Sequence, residues 1–331
     1  MKTLLFLLGL AAALLFSGCS SKKVFEPKET AGSWEHYAEL EESVVDISFN
    51  AALLEDNKVL SKGEMLDVAI AENYRVLGMS GGWVLSADID GNLTMDATDA
   101  SGKQERFALK KTVAGASVEE DVLAVLFADN ELALYSVATK ELLFKEQGNP
   151  PIIIDARIVN PQFMNDLALF LTLDGKVVIV NTKLKKKLRT VIVSTQEHFN
   201  NIIYFAIVDN KLIAATAHKL FSLGEKEIRV NHEVRTIAND TKNIYVATKQ
   251  GEVLVLNPAL DVHAKLKFPF AHFLGIIVEE ERVYLLEKEG YLIEATKDLQ
   301  EYKIYEADVE EALVFVGQKS FYNDDTIIQI K

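Results

Sequence analysis

Apolar and polar positions alternate along this chain in one repeated form, clearest at Ile244–Asn257 (I-Y-V-A-T-K-Q-G-E-V-L-V-L-N). Five residues of β-forming type run into a polar turn at Lys249, Gln250 and Gly251. A second apolar run, Val253 to Leu256, follows and stops at Asn257. Both runs are too short for a helix, and the glycine supplies the positive φ a tight turn needs, so the stretch predicts a β-hairpin.

The same form recurs at Ala51–Leu60, Trp83–Met95, Val122–Val137, Leu167–Val180, Leu212–Leu223, Val283–Ile293 and Ser320–Ile330. The turns fall near 56, 90, 129, 174, 217, 250, 289 and 324, a mean spacing of about 38 residues that matches one propeller blade. Each unit has room for two more strands. One precedes the hairpin, as at Val44–Phe49, Arg75–Met79, Ile152–Val159, Ile202–Val208 and Phe273–Val278. The other follows it and carries mixed charge, as at Lys103–Leu109, Lys140–Lys145, Lys185–Ile192, Glu225–Val230, His263–Phe268 and Glu301–Tyr305. Strands graded from apolar to charged suit a blade whose inner strands are covered and whose outer edge meets water, where lysine discourages pairing with other chains. The pattern therefore predicts an all-β, eight-bladed β-propeller of four-stranded antiparallel blades. The count falls to seven if the first or last pair is not a hairpin. Because the chain stops after Ile330, the last blade lacks an outer strand, and Trp34–Tyr37 is expected to supply it and close the ring.

The first residues follow another pattern. Lys2 precedes an apolar run from Leu4 to Leu15, and small residues, Ser17 and Gly18, precede Cys19. The run is short for a bilayer span and sits where a secretory signal sits. The residues before Cys19 resemble a bacterial lipobox, with Phe16 three places before the cysteine where leucine is usual. That resemblance implies cleavage after residue 18 and acylation, palmitate included, at Cys19. Ser20 stands where an inner-membrane retention aspartate would stand, so the implied address is the periplasmic face of the outer membrane. Cys19 is the single cysteine, which excludes an internal disulfide. The expected domains are thus a signal peptide over 1–18, a lipidated flexible tether over 19–32 and a propeller over 33–331.

Charge narrows the partners. The chain carries −14, and loss of residues 1–18 removes only Lys2 and leaves −15. Nothing in that balance attracts nucleic acid. The one basic run, Lys183–Arg189, is a contact for lipid headgroups or an acidic partner surface or, more simply, an outer strand guarded by lysine.

The hairpin form V-x-A/G-T-x-x-G-x-V-x-x-L-N/D is carried by Val246, Ala247, Thr248, Gly251, Val253, Leu256 and Asn257. Looser copies lie at Leu171–Asn181 and Ala87–Leu93. It resembles the repeats of the PQQ-like (quinoprotein-like) propeller superfamily, with Phe107, Phe144 and Phe268 where that family often carries tryptophan. With the lipoprotein signal, the chain resembles the BamB-like outer-membrane lipoproteins. That resemblance implies a non-enzymatic scaffold, a monomer within a complex, whose partner is an envelope protein such as a BamA-like component of β-barrel assembly. A propeller serving a different protein, ligand or cell-wall partner, or a quinoprotein-type enzyme, are the alternatives.

Candidate chemistry is sparse. The six histidines show no i, i+4 pair, and the chain has neither G-x-S-x-G nor a P-loop. Asp88, Asp90 and Asn92 alternate as in the start of a calcium loop, but position 99 is Asp rather than a bidentate Glu. No catalytic residue, metal or cofactor is expected. Two stretches exceed the minimal repeat: 149–163, with Pro150, Pro151 and Pro161, and 195–201. Inserted loops on one face of a propeller commonly bind partners. The expected docking residues are therefore Asn160, Gln162, Phe163, Asp174, Gln196, His198, Phe199 and Asn200.

Overall fold

The computed structural model describes residues 23–99 and 101–331. The leader and Cys19 lie outside them. The described chain forms eight four-stranded antiparallel sheets arranged as an eight-bladed propeller. Blades 1 to 7 span 44–69, 75–108, 113–147, 162–192, 204–231, 234–267 and 273–306, each with its strands in sequence order. Blade 8 takes three strands from 314–329 and its outer strand, Tyr37–Glu39, from the N-terminal side.

Burial explains the grading of each blade. In blade 6 the central strands Ile244–Thr248 and Glu252–Leu256 are almost wholly buried, while the outer strand Val262–Lys267 alternates exposed and half-buried. Both faces of a central strand pack on neighbouring blades, so continuous apolar runs replace strict alternation. The core is accordingly divided into eight apolar layers, one between each pair of adjacent blades. The layer between blades 8 and 1 joins Phe315 and Tyr322 to Val44, Ala52 and Leu54, and the one between blades 7 and 8 joins Tyr284 and Leu286 to Phe321 and Ile328. No gap is left in the ring.

The turns are built as the sequence implies. In the blade 6 hairpin Gly251 has φ +74°, its N–H donates to the Thr248 carbonyl at 3.0 Å, and the Thr248 hydroxyl accepts the Glu252 N–H at 3.1 Å. Thr248 and Gly251 are therefore fold-making residues. Both Asp88 oxygens accept hydrogen bonds from Asn92, at 2.8 and 2.6 Å, which makes that segment a turn.

Three expectations need correction. Ile152–Val159 is not a strand; the inner strand of blade 4 is Gln162–Met164. Pro150 and Pro151 lack backbone donors, and Asn201 engages the Asp155 N–H and the carbonyls of Asp155 and Arg157, so this stretch is held as a loop. The closing strand lies at Tyr37–Glu39, opposite Thr326–Ile328, and not at Trp34–Tyr37. Trp34 is a buried packing residue upstream of it, 3% exposed, with its indole N–H donating to the Gln329 carbonyl at 2.9 Å. The stretch read as a tether also differs from Phe25 onward, where it lies against blade 7.

The basic run 183–189 ties blades together at their rims: Lys187 pairs with Glu146 of blade 3 and Arg189 with Glu227 of blade 5, each at 2.7 Å. Exposed pairs of this kind are worth at most about 1 kcal/mol each. A more enclosed pair joins Asp240 of blade 6 to Lys297 at 2.8 Å. Burial pushes the Asp240 carboxyl up, but the Lys297 ammonium, the Lys242 and Asn243 N–H groups and the Tyr245 hydroxyl outweigh it and hold it at about 2. A carboxyl lowered by folding adds stability above its unfolded value of 3.8, and that stability is lost as pH falls through its folded value. Asp240→Asn should therefore lower the melting temperature at about pH 7. Calorimetry should show the difference shrinking between about pH 4 and pH 2; a difference constant over that window would assign it to something other than the carboxylate charge.

Candidate protein-docking groove

Antiparallel blades place successive turns at opposite ends of the ring. The turn between the second and third strands of blade 4, Thr172–Gly175, shares one end with the connectors entering and leaving that blade. These three segments enclose a groove of about 310 Å³ at the end of blade 4, between the connector that enters it and the connector that leaves it.

The two long loops are stitched together rather than independent. The Phe199 N–H donates to the Ile153 carbonyl at 2.9 Å. Asn201, fully buried, accepts the Asp155 N–H at 2.7 Å and donates to the carbonyls of Asp155 at 3.1 Å and Arg157 at 2.8 Å. Arg157 in turn grips the Asp155 carboxylate and reaches across to the Arg235 carbonyl at 2.6 Å. Burial pushes the Asp155 carboxyl up, but the Arg157 guanidinium outweighs it and lowers it below the usual carboxylate range.

Asn200 forms the floor. Its Nδ2 donates to the Asp174 carbonyl at 2.9 Å and the Ser194 carbonyl at 3.2 Å, and its Oδ1, buried, accepts no hydrogen bond among the described residues. Reversing the amide would face oxygen with two carbonyls, so the two donated bonds fix its orientation. Gly175, with φ +80°, is required beneath it, since a Cβ there would sit 2.5 Å from Nδ2. Asp174 closes one wall with Lys176. Burial alone would raise the Asp174 carboxyl, but the Lys176 ammonium and the Thr172 hydroxyl outweigh it and lower it.

The lips are apolar. Ile152 is 68% exposed, Ile153 48%, Ile192 45% and Phe199 41%. Phe199 sits edge-on to His218, whose Nδ1 lies 2.9 Å from the Glu233 carboxylate. Four large exposed apolar side chains, three on the hydrogen-bonded loops and Ile192 at the end of the outer strand of blade 4, can cover an apolar patch on another molecule.

Sequence-predicted residues separate into two groups. Asp174, Gln196 and Asn200 line the groove, with Phe199 and the exposed His198 on the same loop. Asn160, Gln162 and Phe163 lie elsewhere. Asn160 is buried and donates to the Leu77 carbonyl at 2.7 Å, wedged against the inner strands of blades 2 and 3, and Gln162 donates to the Asn160 carbonyl at 3.0 Å. Phe163 lines a second recess, about 290 Å³, at the opposite end of the ring beside Glu119, Glu120 and Lys183. The lip residues Ile152, Ile153 and Ile192 were not singled out from sequence; the two prolines before Ile152 were the available signal.

No family model matches the chain. Two plasminogen-binding proteins PgbB from Helicobacter pylori, strains J99 and 26695, are each 27% identical over 369 aligned residues, covering 97% of this chain and 67% of theirs. Among solved structures, the chain superposes on BamB from Moraxella catarrhalis with a TM-score of 0.67 at 11% identity, covering 89% of this chain and 98% of BamB. It superposes on the computationally designed Ika8 protein with a TM-score of 0.63 at 12% identity, covering 92% of this chain and all of Ika8. What the chain shares with these two structures is a fold: it is an eight-bladed, BamB-like β-propeller.

Proposed function

We propose that this chain is a non-enzymatic envelope scaffold that binds another protein through the groove at the end of blade 4. The observation that carries this is the exposed apolar rim of Ile152, Ile153 and Ile192, with Phe199 exposed on the adjoining loop. The lipobox-like run before Cys19 supports acylation there and an address at the periplasmic face of the outer membrane. Several acyl chains, each contributing roughly 0.8 kcal/mol per buried CH₂, would hold so acidic a protein at a membrane without help from its charge.

Two partners follow from different observations. The BamB-like fold supports a BamA-like barrel-assembly component as the partner. The name carried by the two H. pylori relatives supports plasminogen instead. Both readings use an exposed protein-docking surface, and the groove supplies one.

The test is a paired binding measurement on Ile152→Glu/Ile153→Glu, two exposed positions whose change leaves the buried layers intact. Against immobilised plasminogen, and against a purified BamA-like periplasmic domain, the variant should bind at least about tenfold more weakly than wild type to whichever is the partner. Loss of a central apolar anchor typically costs about 2 kcal/mol or more. A partner bound equally by both proteins would move the docking surface elsewhere on the ring.

A further inference from the structure

We infer that the N-terminal segment is a strap that fixes which part of the ring meets the membrane, namely the rim at blades 6 and 7; this rests on acylation of Cys19.

The strap is visible from Phe25. Its ring is 5% exposed and packs edge-on against Phe268 at 5.9 Å and Tyr291 at 5.5 Å, within the layer between blades 6 and 7. Further along, the Ala31 N–H donates to the Ile304 carbonyl and the Trp34 N–H to the Glu306 carbonyl, each at 2.7 Å, and the Glu306 N–H donates to Gly32 at 3.0 Å. Ser33 bridges Glu306 in parallel. Residues 31–34 therefore lie along the outer strand of blade 7, Tyr302–Glu306, and cover an edge that would otherwise be unpaired. Trp34 then hands the chain on to blade 8.

A segment held at Phe25 cannot act as a long leash. Cys19 precedes Phe25 by six residues, and six residues extend at most about 20 Å. Acyl chains on Cys19 would thus keep the Phe25 site within that distance of the bilayer. The surface presented there suits lipid. Val24 is 47% exposed and Phe270 55%, and the Lys23 ammonium stands 5.4 Å from the Phe270 ring centroid. Phe270 tips the connector between blades 6 and 7 at φ +69°, a conformation that bulky side chains seldom adopt. An aromatic ring, an aliphatic side chain and a lysine whose stem can lie along them while its charge stays in water form an interfacial contact. Phe270 and the docking groove both belong to connectors at the same end of the ring, about two blades apart.

The test uses the chain's single cysteine. Once Cys19 is acylated, an introduced cysteine is the only free thiol. Phe270→Cys and Leu142→Cys, the second on the exposed outer strand of blade 3, carry an environment-sensitive fluorophore. The acylated proteins are reconstituted in phosphatidylethanolamine–phosphatidylglycerol vesicles containing nitroxide-labelled lipid. Quenching at 270 should exceed that at 142 at least about threefold, and Phe25→Ala, which frees the chain ahead of its bonds at Ala31 and so lengthens the leash, should narrow that ratio. Equal quenching on protein whose N-terminal peptide carries the acyl mass overturns the orientation while leaving the anchor. A mature N-terminal peptide without that mass overturns the anchor and the orientation with it.

Discussion

Replacing Trp34 with alanine should destabilise the propeller by about 3–5 kcal/mol, the usual cost of truncating a fully buried tryptophan. Its indole is where both ends of the chain meet blade 7. It contacts Tyr305 at 5.0 Å and Tyr284 at 6.3 Å, ring to ring, and the Lys331 ammonium lies 5.1 Å from its centroid. The indole N–H donates to Gln329, next to the residue that pairs with Tyr37 in the closing strand. Alanine would leave a cavity in the layer between blades 7 and 8 and an unpaired carbonyl beside it. Trp34→Phe should cost less, because it keeps most of the packing and loses the hydrogen bond, worth about 1 kcal/mol. The shift in urea midpoint reads both, with Trp83 left as the fluorescent reporter. A loss below about 1 kcal/mol for the alanine variant would mean that the N-terminal segment does not hold the ring shut.

Gly251→Ala should cost about 2–5 kcal/mol, for two separable reasons. Its φ of +74° lies in the left-handed region, which costs a residue with a Cβ roughly 1–2 kcal/mol. A Cβ at that position would also sit 2.1 Å from the Phe268 carbonyl oxygen, part of the backbone that enters blade 7. That carbonyl cannot swing away freely, because the Phe268 N–H donates to Gly251 at 2.8 Å and its oxygen accepts the Ala271 N–H at 3.1 Å. Gly82 provides the control, since its φ of +80° is similar and nothing lies within 4 Å of a Cβ there. Gly82→Ala should show the backbone cost alone. Thermal unfolding of the two variants gives the close-approach contribution as their difference; equal losses would show that the blade 6–7 junction yields readily.

The hairpins were legible because a blade's central strands are buried on both faces. Burial on both sides writes an uninterrupted apolar run such as Ile244–Thr248 into the sequence, and Gly251 marks its turn. The same logic misled at Ile152–Val159, which has strand composition but exposes Ile152 and Ile153. Its backbone is held by Asn201, more than forty residues away, and no local pattern announces that bond. Phe25 was illegible for a related reason. One aromatic residue in a polar stretch has no periodicity, and only the ring cavity made by Phe268 and Tyr291 gives it a place. Loop length did point to both walls of the groove. It could not show that Asn160 turns inward to Leu77, because an asparagine at a loop end reads alike whether it faces solvent or a buried carbonyl.

That a protein docks in the groove at the end of blade 4 is tested most directly by photo-crosslinking in intact cells. A photoreactive amino acid is placed singly at Ile152 and at Phe199, with Leu142 and Ile89, each more exposed than Phe199 but outside the groove, as controls. The account predicts the same crosslinked protein from 152 and 199 and none from 142 or 89. A partner captured at 142 or 89 but absent at 152 and 199 would contradict it.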